Sequence, residues 1–216
     1  MIRRMVALGA GGLVLTFGVA VTSGKRRRRA AMADEAARLG LEYAGAAPVP
    51  PAAGLEAFPL LAPSRLRFRR VTNLVRWREP DRLLLAFDLQ SHPGHRRRAF
   101  TVVAIHVPGR RIPRFQARPL ATARASATLS GSGTHLVDGG GTLEPYIVRA
   151  PDLETAAEIV DSPLMRLLQT RVPPVAIEAG GEWVLVYRPR IDPAHLESLL
   201  AIARDARAQI GEAVRA

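Results

Sequence analysis

The 216-residue chain contains no cysteine, which excludes disulfides, thiolate catalysis and cysteine-ligated metal and fits a reducing compartment. Lysine is nearly missing as well: Lys25 is the sole lysine among 31 basic residues. Heavy use of Arg, Ala, Gly and Pro in its place resembles the coding bias of a GC-rich bacterial genome, so much of the arginine needs no functional cause. Acidic residues are absent from the first 29 positions, where seven of the cations lie. The remainder, 24 cations (31 less 7) against 19 acids, carries a net charge of only +5. The formal +12 therefore reports mainly the N-terminus and is no nucleic-acid signature by itself. Internal repeats and regular βαβ alternation are also missing.

What the N-terminus does have is a run from Met5 to Ser23 without a charge, followed at once by Lys25, Arg26, Arg27, Arg28 and Arg29. As a helix rising about 1.5 Å per residue, this run can cross a hydrocarbon layer about 30 Å thick. A helix also satisfies its own backbone groups, as a spanning segment must. The heavier positive flank tends to stay cytoplasmic, so the body of the protein is expected on the cytoplasmic side of the inner membrane. A cleaved signal peptide is the rival reading, with Arg3 and Arg4 as its charged start. Five cations directly after the run oppose translocation, and a true A-x-A site is missing. The cations Lys25 to Arg29 fix topology and can also meet anionic lipid, at about 1 kcal/mol each. Small residues at four-residue spacing (Ala7 and Gly11; Gly12, Thr16 and Ala20) would allow self-association in the membrane.

The division expected is an anchor with its basic flank at residues 1–29, a juxtamembrane helix and Pro/Ala-rich linker at 30–64, and one domain at 65–216. Pro48, Pro50, Pro51, Pro59 and Pro63 favour an extended connector, in which Phe58-Pro59-Leu60-Leu61 is apolar enough to dock. The domain opens with period-two alternation from Leu66 to Trp77, with a bulge expected at Arg69-Arg70. Leu83 to Leu89 and Ala99 to Val107 continue an antiparallel meander, and Arg114 to Arg118 reads as a short strand. Leu120 to Gly133 reads as weak helix or poor order, and Thr142 to Arg149 as a strand. Asp152 can cap a helix with Leu153, Ala156, Ala157 and Val160 on one face, and Ser162-Pro163 starts another with Leu164, Leu167 and Leu168 inward. Glycines inside Val175 to Arg188 indicate a hairpin turning through Glu178 to Glu182. Asp192-Pro193 opens a final helix with Leu196, Leu199, Leu200, Ala203, Ala206, Ile210 and Val214 in phase. The sum is an α+β domain: a mainly antiparallel sheet with helices packed on one face, preceded by a single transmembrane helix.

Phe58-Pro59-Leu60, the segment RVTNLV from Arg70 to Val75, Ala86-Phe87-Asp88, Thr101-Val102-Val103 and VLVYRPR from Val184 to Arg190 resemble a group of uncharacterised bacterial proteins with an N-terminal membrane helix and one α+β domain. The group has no established activity, so the resemblance implies a fold and a membrane address and carries over no functional residue.

Chemistry-bearing constellations are sparse. His92 and His95, three apart before Arg96 to Arg98, lack a nearby third ligand and read as a solvated hairpin tip. Asp138-Gly139-Gly140-Gly141-Thr142 matches neither GxxxxGK[ST] nor GxGxxG. Gly131-Ser132-Gly133 is no nucleophile elbow. A hydrolase would have to draw on His106 or His135 with Asp88, assembled only in the fold. Arg65, Arg67, Arg69, Arg70, Arg76 and Arg78, interleaved with Phe68 and Trp77, read first as a solvated face, then as a membrane surface, and last as a nucleic-acid strip. No catalytic, cofactor or metal residue is assigned. The leading expectation is a non-enzymatic, membrane-anchored domain that binds a protein partner or the inner leaflet, with a membrane-tethered hydrolase as the alternative.

Overall fold

Period-two alternation up to Trp77 and the apolar, β-rich runs Leu83 to Leu89 and Ala99 to Val107 become, in the computed structural model, three long antiparallel strands, β2 (Arg69–Glu79), β3 (Arg82–Ser91) and β4 (Arg98–His106). The structure describes residues 23–61, 69–79, 82–91, 98–124, 133–137 and 145–213. Around the three strands are β1 (Glu42–Ala47), β5 (Ile112–Pro119), β6 (Gly133–Val137), β7 (Tyr146–Ala150), β8 (Ala176–Gly181) and β9 (Trp183–Pro189). The described strands make one nine-stranded sheet in the order β1-β2-β3-β4-β9-β8-β5-β7-β6, antiparallel at every pairing.

Helix α1 (23–38) precedes the sheet. It is followed in chain order by α2 (Leu120–Arg124), α3 (Leu153–Asp161), α4 (Pro163–Gln169) and α5 (Leu196–Ala213). As expected, Asp152 caps α3 by accepting from the Thr155 amide at 2.7 Å, and Pro163 opens α4. Leu196, Leu199, Leu200, Ala203, Ala206 and Ile210 of α5 are all buried. Leu153 differs: it is 58% exposed, and Ala156 and Ile159 make the inner face of α3.

One core lies between the helices and the sheet. It joins Met32 and Ala36 of α1, Leu164 and Leu168 of α4, and the inner face of α5 to Val75, Ala86, Val103, Ile177 and Val186. The second core lies on the opposite face, where Leu55, Phe58 and Leu61 cover Val71, Phe87, Val102, Leu185 and Tyr187. At about 1.5–3 kcal/mol for each large apolar side chain removed from water, both layers are integral to the fold. Sheet cover is thus two-sided, with helices on one face and, on the other, an irregular strap, residues 48–61, that includes a 3-10 turn at Leu55–Ala57.

Residues 30–61, expected as juxtamembrane helix and linker, pack on the sheet and pair with it. Apolar side chains at the i and i+4 positions Met32 and Ala36 face the sheet, β1 pairs along β2, and the prolines shape the strap without keeping it off the surface. Glycine and alanine hid β1 from the strand pattern. The bulge lies between Thr72 and Val75, where Asn73 takes a left-handed φ of 54°, and not at Arg69-Arg70. β6 falls just past the stretch that reads as weakly structured. The β8–β9 turn is tighter than the sequence suggests, since Glu178 and Ala179 are buried strand residues. The run Met5 to Ser23 lies outside the described residues except for Ser23. Among the described residues no helix is long and apolar enough to cross a membrane.

Candidate functional site

Three polar arrangements stand out, and strand register positions each. On the helix-covered face, Asp88 of β3 sits directly opposite Thr72 and Thr101, and Thr101 in turn opposes Arg188 of β9. Helix α1 places Arg28, Met32 and Ala36 at four-residue spacing, so Arg28 enters this row from above. Its Nε donates to Asp88 Oδ2 at 2.6 Å and its second terminal nitrogen to Oδ1 at 2.7 Å, while the first donates to the Ile191 carbonyl at 2.6 Å. Asn73 Nδ2 and Thr101 Oγ1 complete the carboxylate shell at 2.8 and 3.0 Å. The Asn73 side chain is held in turn by the Tyr43 hydroxyl at 3.0 Å. The pair is nearly dry, with 10% of the Arg28 and 1% of the Asp88 side chain exposed. Arg190 stands 3.9 Å from the same carboxylate. Burial, then the Arg28 charge, push its guanidinium below its usual value. A fork-to-fork arginine–carboxylate pair of this kind fixes geometry as well as charge, and it locks α1 to the sheet.

On the strap face, Glu178 of β8 is fully buried. It accepts from Arg118 at 2.6 Å, from the Tyr187 hydroxyl at 2.8 Å and from the Leu60 amide of the strap at 3.3 Å. Burial, then the Glu178 charge, hold the Tyr187 phenol well above its ordinary range. Burial works against the Arg118 cation, but Tyr187 and Glu178 more than offset it and leave it raised. Gln116, which opposes Glu178, is 7% exposed and neither of its amide atoms is hydrogen-bonded.

The third arrangement is a groove of about 620 Å³ at the opposite end of the sheet, between the strap at Ala52 to Phe58 and the β8–β9 turn. His106 Nε2 lies 3.1 Å from Glu182 Oε2, and its ring tilts over Trp183 with centroids 4.7 Å apart. The Gly109 amide donates to Glu182 at 2.7 Å, and this bond, then His106, lowers the Glu182 carboxyl below its usual range. Arg114 donates to the Ala57 carbonyl at 2.7 Å. Gly54, at φ 86°, brings the strap so near that a Cβ there would stand 2.9 Å from Trp183 Nε1. Among the described residues the groove offers an apolar floor with cationic and anionic edges and no nucleophile beside a base.

The structure disperses the residues a hydrolase would have to gather. Asp88 serves the helix face, whereas His106 lies five residues beyond Thr101 on β4, roughly 16 Å along the strand, packed on Trp183 of the strap face. His135 is on β6, the far edge strand, opposite Val148. His92, His95, Ser132 and Asp138 to Thr142 lie outside the described residues. Among the described residues no three His, Asp or Glu side chains gather as a metal site.

Of the five cations after the apolar run, Lys25, Arg26, Arg27 and Arg29 are exposed, and Arg28 is turned into the domain instead. Of the arginine-rich strand, Arg70 and Arg78 are exposed, Arg76 is half-buried, and Arg69 donates to the Pro59 carbonyl of the strap at 3.2 Å. Arg65 and Arg67 lie outside the described residues. Sequence reading missed Glu178, Arg118 and Tyr187. The available signal was one carboxylate inside the otherwise apolar Val175 to Ala179.

The sequence matches no protein-family model and no curated protein. Among solved structures, the crystal structure of the mycobacterial trehalose monomycolate transport factor A, TtfA, aligns with 88% of this chain and 93% of its own, at a TM-score of 0.56 and 18% identity. At that identity the likeness is one of fold.

Proposed function

We propose that this protein is a single-pass membrane-anchored accessory factor whose α+β domain works by binding, at the cytoplasmic face of the inner membrane. The observation that carries the reading is the engagement of Arg28 with Asp88. The apolar run ends at Ser23, and five residues later the same chain is clamped into the sheet. At about 1.5 Å per helical residue that interval is only about 7.5 Å. An anchor formed by the run would hold the domain against the bilayer with almost no slack, as suits a scaffold that must present one surface beside a membrane. The fold it shares with a transport factor supports the same class of role, although no cargo is transferred by analogy. A tethered hydrolase is disfavoured by the separation of Asp88 from His106.

The test is alkaline extraction of membranes from cells producing the full chain, together with reporters fused after Ala216. Retention in the pellet with a cytoplasm-active reporter is expected. Release of the chain into the supernatant, a mature form beginning beyond residue 22, or activity of a periplasm-dependent reporter would overturn the proposal.

A further inference from the structure

Strand register gathers cations from distant parts of the sequence at one end of the sheet. At that end β2 begins with Arg69 and Arg70, opposite Ser91 and Gln90, the last residues of β3. Arg98, the first residue of β4, pairs with Ser91. There too β9 gives way to Arg190, whose amide bonds the Ala99 carbonyl. The N-terminal half of α1 arrives over the same region, because Arg28 reaches Asp88 three residues before β3 ends.

Two of the cations at this end, Arg28 at 2.6 Å and Arg190 at 3.9 Å, share the Asp88 carboxylate. Asp88 is already enclosed by Arg28, Asn73 and Thr101, and the exposed acid nearby, Asp192, caps the turn before α5. Lys25, Arg26, Arg27, Arg29, Arg70 and Arg190 all face solvent. Like charges three and four apart on one helix, as Arg26 and Lys25 are from Arg29, repel, and an external array of anions relieves that repulsion.

We infer that this basic end of the sheet is a docking surface for an anionic phospholipid leaflet, which sets the domain with the β3–β4 end toward the membrane and the Trp183 groove away from it. The choice of a lipid surface follows from where α1 begins: Ser23, the last residue of the apolar run, opens the helix five residues before Arg28, toward the end of the sheet where the cations collect. The orientation rests on the membrane-anchor reading, while the affinity for anionic lipid does not. Each surface cation strengthens attraction to such a leaflet by about fivefold.

The lack of cysteine permits a site-specific test on the full chain. Pro189→Cys places a fluorophore at the basic end and Ala53→Cys places one at the groove. Each is reconstituted in phosphatidylcholine vesicles with and without phosphatidylglycerol and headgroup quencher. Quenching at position 189 that rises with phosphatidylglycerol and falls with added salt, with position 53 unchanged, is expected. Arg70→Gln with Arg190→Gln should lower the docked-to-undocked ratio about 25-fold, two cations at about fivefold each, while circular dichroism shows the fold retained. Equal quenching in both lipids, or a response at position 53 in place of 189, would overturn the inference. If the chain does not insert, the anchor reading fails by itself. Flotation with phosphatidylglycerol vesicles alone, lost in the double variant, then supports the docking surface, and flotation with neither lipid refutes it. Preference for single-stranded RNA over these vesicles would likewise refute it.

Discussion

Replacing Asp88 by Asn retains the shape of the side chain and reverses its chemistry. The carboxylate accepts from Arg28 Nε, a terminal nitrogen of Arg28, Asn73 Nδ2 and Thr101 Oγ1, at 2.6, 2.7, 2.8 and 3.0 Å. An amide puts a donor where one of these acceptors stood and leaves the Arg28 charge without a counter-charge, facing only neutral acceptors: the remaining amide oxygen, Thr101 Oγ1 at 3.4 Å and the Ile191 carbonyl. Removing one partner of a buried pair costs about 3–5 kcal/mol, and with 10% and 1% of the two side chains exposed, solvent screening discounts this little. For a chain of this size about 1 kcal/mol moves the melting midpoint by about 2–4 °C, so a fall of roughly 6–20 °C is expected. Hydrogen exchange should further show residues 23–38 opening first, since α1 loses its polar lock while keeping only Met32 and Ala36 in the core. The assay is thermal unfolding of the full chain in detergent, with amide exchange followed by mass spectrometry. A melting midpoint within about 2 °C of the parent, with α1 protected as before, would refute the assignment of Arg28–Asp88 as the clamp.

Tyr187→Phe removes the hydroxyl donated to Glu178 and is expected to cost about 1.5–3 kcal/mol, as for a hydrogen bond to a buried charge, read from urea unfolding. In the parent, the Tyr187 phenol is held above its ordinary value of 10.0. The unfolded chain therefore binds fewer protons than the folded one above that pH, and stability should decline as the pH rises further; absorbance titration should show one tyrosine ionising late. Gly54→Ala meets a left-handed φ of 86° and Trp183 Nε1 and should cost about 1–2 kcal/mol with a shift in tryptophan emission. Asp152→Ala removes the α3 cap. The capped carboxyl is lowered chiefly by the Thr155 amide, so the loss of stability should be present at neutral pH and disappear as the pH falls through the carboxylate range.

How much of this could be read from the sequence depends on what each element leaves on its surface. The meander was legible from alternation in β2 and from the continuous apolar runs that two-sided burial leaves in β3 and β4, α5 from its three-to-four-residue pattern, and the α3 start from Asp152 as a capping residue. β1 was not, since Glu42-Tyr43-Ala44-Gly45-Ala46-Ala47 has little to bury and is held by its ladder to β2. The strap was read as a connector because prolines specify local backbone shape and say nothing of what Leu55, Phe58 and Leu61 rest on. Arg28 stood among five cations with nothing local to set it apart; its partner lies 60 residues away. The same limit hid the cluster at Glu178, whose partners Arg118 and Leu60 are separated from it by 60 and 118 residues.

The span from Arg28 to its acceptor at Ile191, 163 positions, bears on how the molecule is made. A ribosome adding about 5–20 residues each second needs roughly 8–30 s to deliver the second group after the first. Through that interval the seat of the leading segment is incomplete: β2 to β4, with Asp88, are made first, but β9 and the Ile191 carbonyl come last. Its apolar faces must then be sheltered by chaperones or by the lipid surface, and translation stalled before residue 191 should yield a protease-sensitive nascent chain.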